Sequence, residues 1–276
     1  MRHSYWYALM AGDYDLLRPL YKMYMSQLPV MRERSRRWYK HNGTRFAETS
    51  YFYGSFEPVD YGCQRNPTDA PDPVSPYIKN HIQGGVELAT IMLRDYQHTS
   101  NATLLAETVL PWCQSLLEFY DEHFPKYSNG TLFLQHAQSC ETWPDCDNPA
   151  AQVAALIRIT EGLTSIPRHL LSAEQAAFFA RIAKSLPAIP LTDAKNGQPQ
   201  ISPCEGGFPS RHVNGENVET CKCSRSLCVF FRSSKKAAAQ TLSGRESHSR
   251  PTRLLMVILV EPAGLVVGWA GTSSSR

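Results

Sequence analysis

Five stretches of this sequence place apolar residues three and four positions apart, and most are framed by capping or turn residues. A chain patterned in this way has one apolar stripe per helix to hide, and packing helix on helix is the direct way to hide it. The first stretch opens at Asp13 or Asp15 and turns Leu17, Leu20, Tyr24, Leu28, Met31 and Trp38 inward. It ends near His41-Asn42-Gly43, with Pro29 as a kink. Its other face, Arg32, Glu33, Arg34, Arg36, Arg37 and Lys40, reads as solvated surface. The second opens at Ser75-Pro76 and buries Ile78, Ile82, Val86, Ala89, Leu93 and Tyr96. Gly84-Gly85 falls in its middle; paired glycines there cost about 1 kcal/mol each against alanine, so they point to close backbone approach by a neighbour or ligand. The third follows Asn101 to Thr103, with Leu105, Val109, Trp112, Leu116 and Phe119 inward and a bend at Pro111. The fourth runs from Pro149 with Val153, Leu156, Ile157 and Thr160 on one face. The fifth opens with a capping box, Ser172 and Gln175, and carries Phe178, Phe179, Ile182 and Leu186. The expectation is an all-α fold of antiparallel helix pairs joined by connections of unequal length.

Two connections carry chemistry. Residues 44–76 lack helical period and are dense in aromatics, Gly and Pro, with Glu48, Tyr53, Glu57, Asp60 and Tyr61 as polar or stacking candidates. A connection this long is usually functional or disordered, and its aromatic content argues against disorder; a long loop lying over a hydrophobic core, with its carboxylates in water, fits the same residues. The stretch Gln138 to Pro149 is denser still: it packs Glu141, Asp145 and Asp147, the indole of Trp143 and two cysteines, Cys140 and Cys146, into twelve residues. Carboxylates do acid and base chemistry or grip hydroxyls, and Trp offers a flat apolar face to a sugar ring. The same residues also fit an exposed polar connection whose Asn148-Pro149 starts the next helix. Upstream of it, Tyr127-Ser128-Asn129-Gly130 is a turn signal and Thr131 to Leu134 reads as a short strand.

Charge is unevenly placed. The chain carries +3 overall, but residues 221–276, with nine Lys/Arg against two acidic residues, account for +7 and leave the first 220 residues at −4. That mildly acidic body has no clustered basic face for nucleic acid. Asn42-Gly-Thr44, Asn101-Ala-Thr103 and Asn129-Gly-Thr131 are acceptor sequences for N-glycosylation, all in expected loops or helix ends. With five cysteines in the first 220 residues they lean towards a secretory or extracellular setting. Cys140 with Cys146 is one possible bridge and buried free thiols are the other reading. Met1 to Trp6 is not a signal peptide, so the chain either stays inside or lacks its true beginning. After about Thr220 both periods vanish, and residues 221–276 read as a disordered tail foreign to the fold. Leu254 to Trp269 is mostly apolar but falls short of the ~20 residues that cross a bilayer. Zinc binding by Cys221, Cys223 and Cys228 is a weak signal, and no metal or other cofactor is expected.

Several pieces, in order, resemble a known family. They are Ser4-Tyr5-Trp6, Phe46-Ala-Glu-Thr49 with Tyr53-Gly54, and Gly84-Gly85-Val-Glu-Leu with Asp95-Tyr96 and Thr99. Ala137-Gln-Ser-Cys-Glu-Thr-Trp143 before Asn148-Pro149 and Asn214-Gly-Glu-Asn-Val-Glu219 complete the set. Residues 4–219 look like part of a six-hairpin glycosidase, the (α/α)6 toroid, close to glycoside hydrolase family 95 (α-L-fucosidases) and to an uncharacterised sister group of large secreted proteins. The resemblance implies a secreted carbohydrate-active hydrolase. Glu48, Glu141 and Asp145 would face the sugar, Trp143 or Tyr53 would stack on it, Asn148 would help bind it, and Glu87 is the outside choice for an acid. The partner implied is an oligosaccharide or polysaccharide.

The departures point the other way. The fucosidases' general-acid glutamate falls at Arg94, which donates no proton at a useful pH, with Glu87 and Asp95 as the nearest carboxylates. Their water-positioning segment would precede Met1, and their third catalytic group would follow Thr220. The expectation is therefore an incomplete toroid, inactive by itself, with exposed apolar surface. A non-catalytic carbohydrate-binding protein that retains the toroid is the alternative. A helical-repeat interaction module is the third reading and the weakest, since no fixed period recurs.

Overall fold

The computed structural model describes residues 2–46, 50, 79–140, 143–193 and 199–207, together with 259–261 and 264–266. By compactness the chain divides into Met1–Ser233 and Ser234–Arg276. The first unit is mostly helical: α1 (Arg2–Ala11), α2 (Arg18–Tyr39), α3 (Gly84–Thr99), α4 (Leu110–His123), α5 (Ala150–Thr164) and α6 (Ala173–Ser185).

The first two of these differ from the sequence expectation. Periodicity missed α1 because its apolar residues run all round it: Ala8 and Leu9 are buried, while Tyr7 and Met10 are exposed. Nor does an aspartate open α2. Asp13 makes no side-chain cap; Tyr14–Leu17 form a 3₁₀ turn, and α2 begins at Arg18 with Pro19 in its first turn, a position where the missing N–H costs nothing. Leu17, Leu28 and Met31 are buried as the pattern requires, but Trp38 is 40% exposed near the helix end. The arginine face is not wholly solvated either. Arg32 donates from Nε to Ser115 Oγ at 2.9 Å and from Nη2 to the Pro111 carbonyl at 3.3 Å, tying α2 to α4.

Helix α3 starts at Gly84, so the glycine pair sits at its N-terminus and not in its middle. The inferred close approach is real: a Cβ on Gly85 would lie 2.1 Å from Cδ2 of Phe46. Phe46 is stacked on Trp112 of α4, with ring centroids 3.8 Å apart, and Trp112 Nε1 donates to the Gly85 carbonyl at 3.0 Å. A second bare backbone, Gly162 of α5, faces Leu93 of α3, where a Cβ would meet Cδ2 at 2.3 Å. Through such contacts α3 packs against α1, α4 and α5; α4 also meets α2 and α6, and α5 meets α6. The core so formed is carried by Val86, Ala89, Met92, Trp112, Leu116, Phe119, Leu156 and Phe179, among others.

The segment before α4 explains how a proline is accommodated there. Asn101 caps a helical turn, Ala102–Leu104, its side chain accepting from Leu104 N at 3.0 Å. A π-helical turn, Leu105–Val109, then precedes α4, which carries Pro111. Widening the ladder next to a residue that lacks an N–H and crowds the preceding turn spares the chain a break. Leu105, Val109, Trp112, Leu116 and Phe119 are all buried as expected. At the opening of α6 both bonds of the capping box are present at 3.1 Å.

Four short strands supplement the helices: β1 (Cys146–Asp147), β2 (Leu191–Asp193), β3 (Pro199–Ile201) and β4 (Gly206–Gly207). β1 pairs antiparallel with β4 and β2 with β3. Thr131 to Leu134 is not a strand; Leu132 makes a single bridge to Lys126 across the expected turn, in which Gly130 has φ +82°. In the second unit the described residues form an antiparallel hairpin, β5 (Leu259–Glu261) with β6 (Gly264–Val266), whose register pairs Val260 with Leu265. The tail's remaining expectations, including its cysteines, lie outside the described residues. No helix among the described residues is long and apolar enough to cross a membrane.

Candidate functional site

The loop singled out in the sequence is held by bonds across its neck. Asn148 N donates to the Leu134 carbonyl at 3.0 Å, and Leu134 N donates to Asn148 Oδ1 at 2.9 Å. Next, Ala137 and Cys146 exchange both backbone bonds, at 2.9 and 2.7 Å. Nearer the tip, Ser139 N donates to the Trp143 carbonyl at 3.2 Å, and Trp143 N to that of Cys140 at 2.8 Å. His136 (φ +51°) and Asn148 (φ +44°) take left-handed backbone, in keeping with the tolerance of Asn and His for that region.

A distant strap fastens the loop. Cys146 is disulfide-bonded to Cys204, 58 residues on, and β4 lies against β1. Glu205 N donates to the Asp147 carbonyl at 2.9 Å, Ala150 N donates to that of Pro203 at 2.9 Å, and Asn148 Nδ2 donates to Glu205 Oε2. The proposed Cys140–Cys146 bridge is therefore corrected. Cys146 sits at the neck, beside the strap, whereas the backbone of Cys140 pairs with Trp143 at the tip, and Cys140 is a free thiol. Cys113 is also free and fully buried, which pushes its thiol pKa up to about 12. Asn148 does not cap α5, whose N-cap is Pro149. It is fully buried and its amide is spent on Leu134 and Glu205, so it shapes the loop from within.

What the loop offers outward is Trp143, half-buried, and Asp145, whose side chain is 60% exposed and accepts from His136 Nδ1 at 3.0 Å. Gln138 is buried, and its Oε1 has no hydrogen-bond partner among the described residues. Asn80 Nδ2 donates to the Pro144 carbonyl at 2.8 Å, which joins the loop to the segment leading into α3. In the first turn of α3, Glu87 is half-buried and its Oε1 accepts from Trp6 Nε1 of α1 at 3.0 Å. The N-terminal end of α3 thus gathers the loop through Asn80 and a Trp-bound carboxylate through Glu87. Glu48, Tyr53 and Glu141 lie outside the described residues.

The other carboxylates and cations of α3 sit further along it. Arg94 follows Glu87 by seven residues, two turns along the same stripe and about 10 Å further down the axis. It is half-buried, and burial together with the neighbouring Arg158 of α5 lowers its pKa. Asp95 is fully buried; burial raises its pKa, partly offset by Arg18 at 3.5 Å and by Tyr21 and Thr99. Enclosed in this way, Asp95 is a structural tie between α3 and the start of α2. Among the described residues no group of three or more His, Cys, Asp or Glu is placed to hold a metal ion.

The three glycosylation acceptors are all exposed. Asn101 caps its helical turn, and Asn129 Oδ1 accepts from Thr131 N at 2.9 Å. Asn42 donates from N and Nδ2 to the two carboxylate oxygens of Glu122, at 2.9 and 3.2 Å. Sequence reasoning missed the Trp6–Glu87 bond and the 203–207 strap. Trp6 and Cys204 were the available signals, but each meets its partner across a sequence separation that periodicity does not span. No protein-family model matches the sequence, and no curated protein is significantly similar to it.

Proposed function

We propose that residues 4–219 form a carbohydrate-active module of the six-hairpin glycosidase type, part of an (α/α)6 toroid, with its sugar-facing surface at the N-terminal end of α3. The observation that carries this reading is the fastening of the 134–148 loop. Four backbone and side-chain bonds cross its neck and a disulfide and a strand pair hold its outer side, while Trp143 and Asp145 stay accessible. A loop whose ordering is already paid for by the fold presents an aromatic face and a carboxylate without further entropic loss on binding. Glu87, held by Trp6, is the described carboxylate suited to donate or accept a proton at a glycosidic oxygen. Hydrolysis with inversion needs a second carboxylate about 6.5 to 9.5 Å away, for which Glu141 and Glu48 are the proposed partners. The Cys146–Cys204 disulfide supports an oxidising, secretory or extracellular setting.

A second reading is favoured by Arg94. If the family's acid position is occupied by a guanidinium, the module binds glycans without cleaving them. The two readings separate on incubation of the full chain with aryl glycosides, α-L-fucosides and β-galactosides first, alongside a Glu87→Gln variant. Hydrolysis that the variant loses by a hundredfold or more supports the enzyme reading. Binding of the matching sugar without turnover supports the second, and neither binding nor turnover across a broad glycan panel overturns both.

A further inference from the structure

A cleft of about 610 Å³ lies over α4 between α2 and α6, away from the loop. Its size is that of an ordinary small-molecule site. Its lining is charged but balanced. Arg32, Arg36 and Arg181 stand against Glu118, Asp121 and Glu122, so the cleft has no net sign with which to attract an ion. Dense donors and acceptors without net charge, beside the half-buried ring of Phe178, suit a neutral polyhydroxylated ligand. The residue at the cleft that brings such a ligand is Asn42, the first residue of Asn42-Gly43-Thr44.

We propose that Asn42 carries an N-linked glycan whose first sugars lie in this cleft, an inference that rests on the secretory setting proposed above. In the transfer, Asn42 Nδ2 attacks the anomeric carbon of a polyprenyl-diphosphate oligosaccharide. A C1–N bond forms, the C1–O bond breaks with its electron pair leaving on the diphosphate, and the proton lost from Nδ2 passes to solvent. The remaining N–H continues to donate to Glu122, which also holds the backbone N–H of Asn42. The next two residues fix the attachment. Gly43 has φ +82° and a Cβ there would lie 2.0 Å from Phe119 N, while buried Thr44 bonds Ser115 through its hydroxyl at 2.7 Å. Asn129 is the contrasting case, since its turn stands clear and a Cβ on Gly130 would meet nothing within 4 Å.

The test uses the full chain led into the secretory pathway of a eukaryotic cell by an added cleavable leader, with site occupancy read by glycopeptide mass spectrometry. Native and denatured samples are then treated with peptide N-glycosidase. The expected result is occupancy at Asn42 and Asn129, with release from native Asn42 at least tenfold slower than from Asn129 and equal rates after denaturation. Phe178→Ala and Arg36→Ala, on different walls, should each speed native release at Asn42 alone. Asn42 bare while Asn129 is occupied, or equal native release rates, overturns the proposal and leaves the secretory setting untouched. All three acceptors bare in secreted chain overturns it together with the use of these sequences as glycosylation sites.

Discussion

Replacing Gly85 with alanine adds one methyl group at the tightest described contact of α3. That methyl would lie 2.1 Å from Cδ2, 2.8 Å from Cγ and 3.0 Å from Cε2 of Phe46, the first two shorter than real Cβ contacts show. The ring cannot simply swing aside, since it is nearly sealed from solvent and stacked on Trp112, itself bonded to the Gly85 carbonyl. Overpacking of this kind costs about 1–3 kcal/mol. Alanine's helix propensity returns at most about 1 kcal/mol, less in a first turn. The expected net loss is about 1–2 kcal/mol, a fall in Tm of roughly 2–8 °C for a domain of this size. Urea unfolding of Gly85→Ala, Phe46→Ala and the double variant isolates the cause. Phe46→Ala alone should cost about 3–5 kcal/mol, but in that background Gly85→Ala should be neutral or stabilising by up to about 1 kcal/mol. The coupling is then about 2 kcal/mol. Equal effects of Gly85→Ala in both backgrounds, or stabilisation of the otherwise unaltered chain, would refute the close-approach argument.

Reducing the Cys146–Cys204 disulfide, or replacing both cysteines with serine, should lower stability by about 4 kcal/mol from the 58-residue separation, read as a shifted urea midpoint. Alkylation of the native chain should label Cys140 and spare Cys113 until the chain unfolds, because burial holds the Cys113 thiol near pKa 12; mass spectrometry reads the two sites directly. Asp121 accepts two bonds from Arg181 and one from Lys126, and these hold its pKa below the usual carboxylate value. Its contribution is therefore fully present above about pH 4 and lost as pH falls through the lowered folded pKa. Asp121→Asn should cost on the order of 1 kcal/mol at pH 7 and progressively less on acidification, as measured by thermal unfolding across pH.

Helices α2, α4, α5 and α6 were legible because each carries apolar residues at helical spacing and its own local punctuation, as with Ser172 and Gln175. What escaped was set by contacts distant in sequence. α1 is apolar all round, so its buried face is chosen by α3 and not by its own pattern. α3 begins at Gly84, where the bare Gly85 meets Phe46 and Trp112, and the expected opening at Ser75-Pro76 lies outside the described residues. The loop's composition announced it, but its fastening did not: Cys146 had a nearer candidate in Cys140, and the decisive partner arrives 58 residues later alongside β4. Asn148 shows the same limit, because Asn-Pro before a helix reads as a cap, and only the tertiary neighbours Leu134 and Glu205 turn it into an internal cross-link.

The most direct test of the central proposal is binding of the full chain to an array of neutral oligosaccharides, followed by calorimetry on the best ligand with Trp143→Ala and Asp145→Asn. A glycan should bind, each variant should weaken it about tenfold or more, equivalent to about 1.4 kcal/mol, and both variants should unfold at the temperature of the unaltered chain. A glycan that binds equally well to all three would place the sugar surface elsewhere and contradict the reading of this loop, and an array with no ligand at all would contradict the carbohydrate proposal itself.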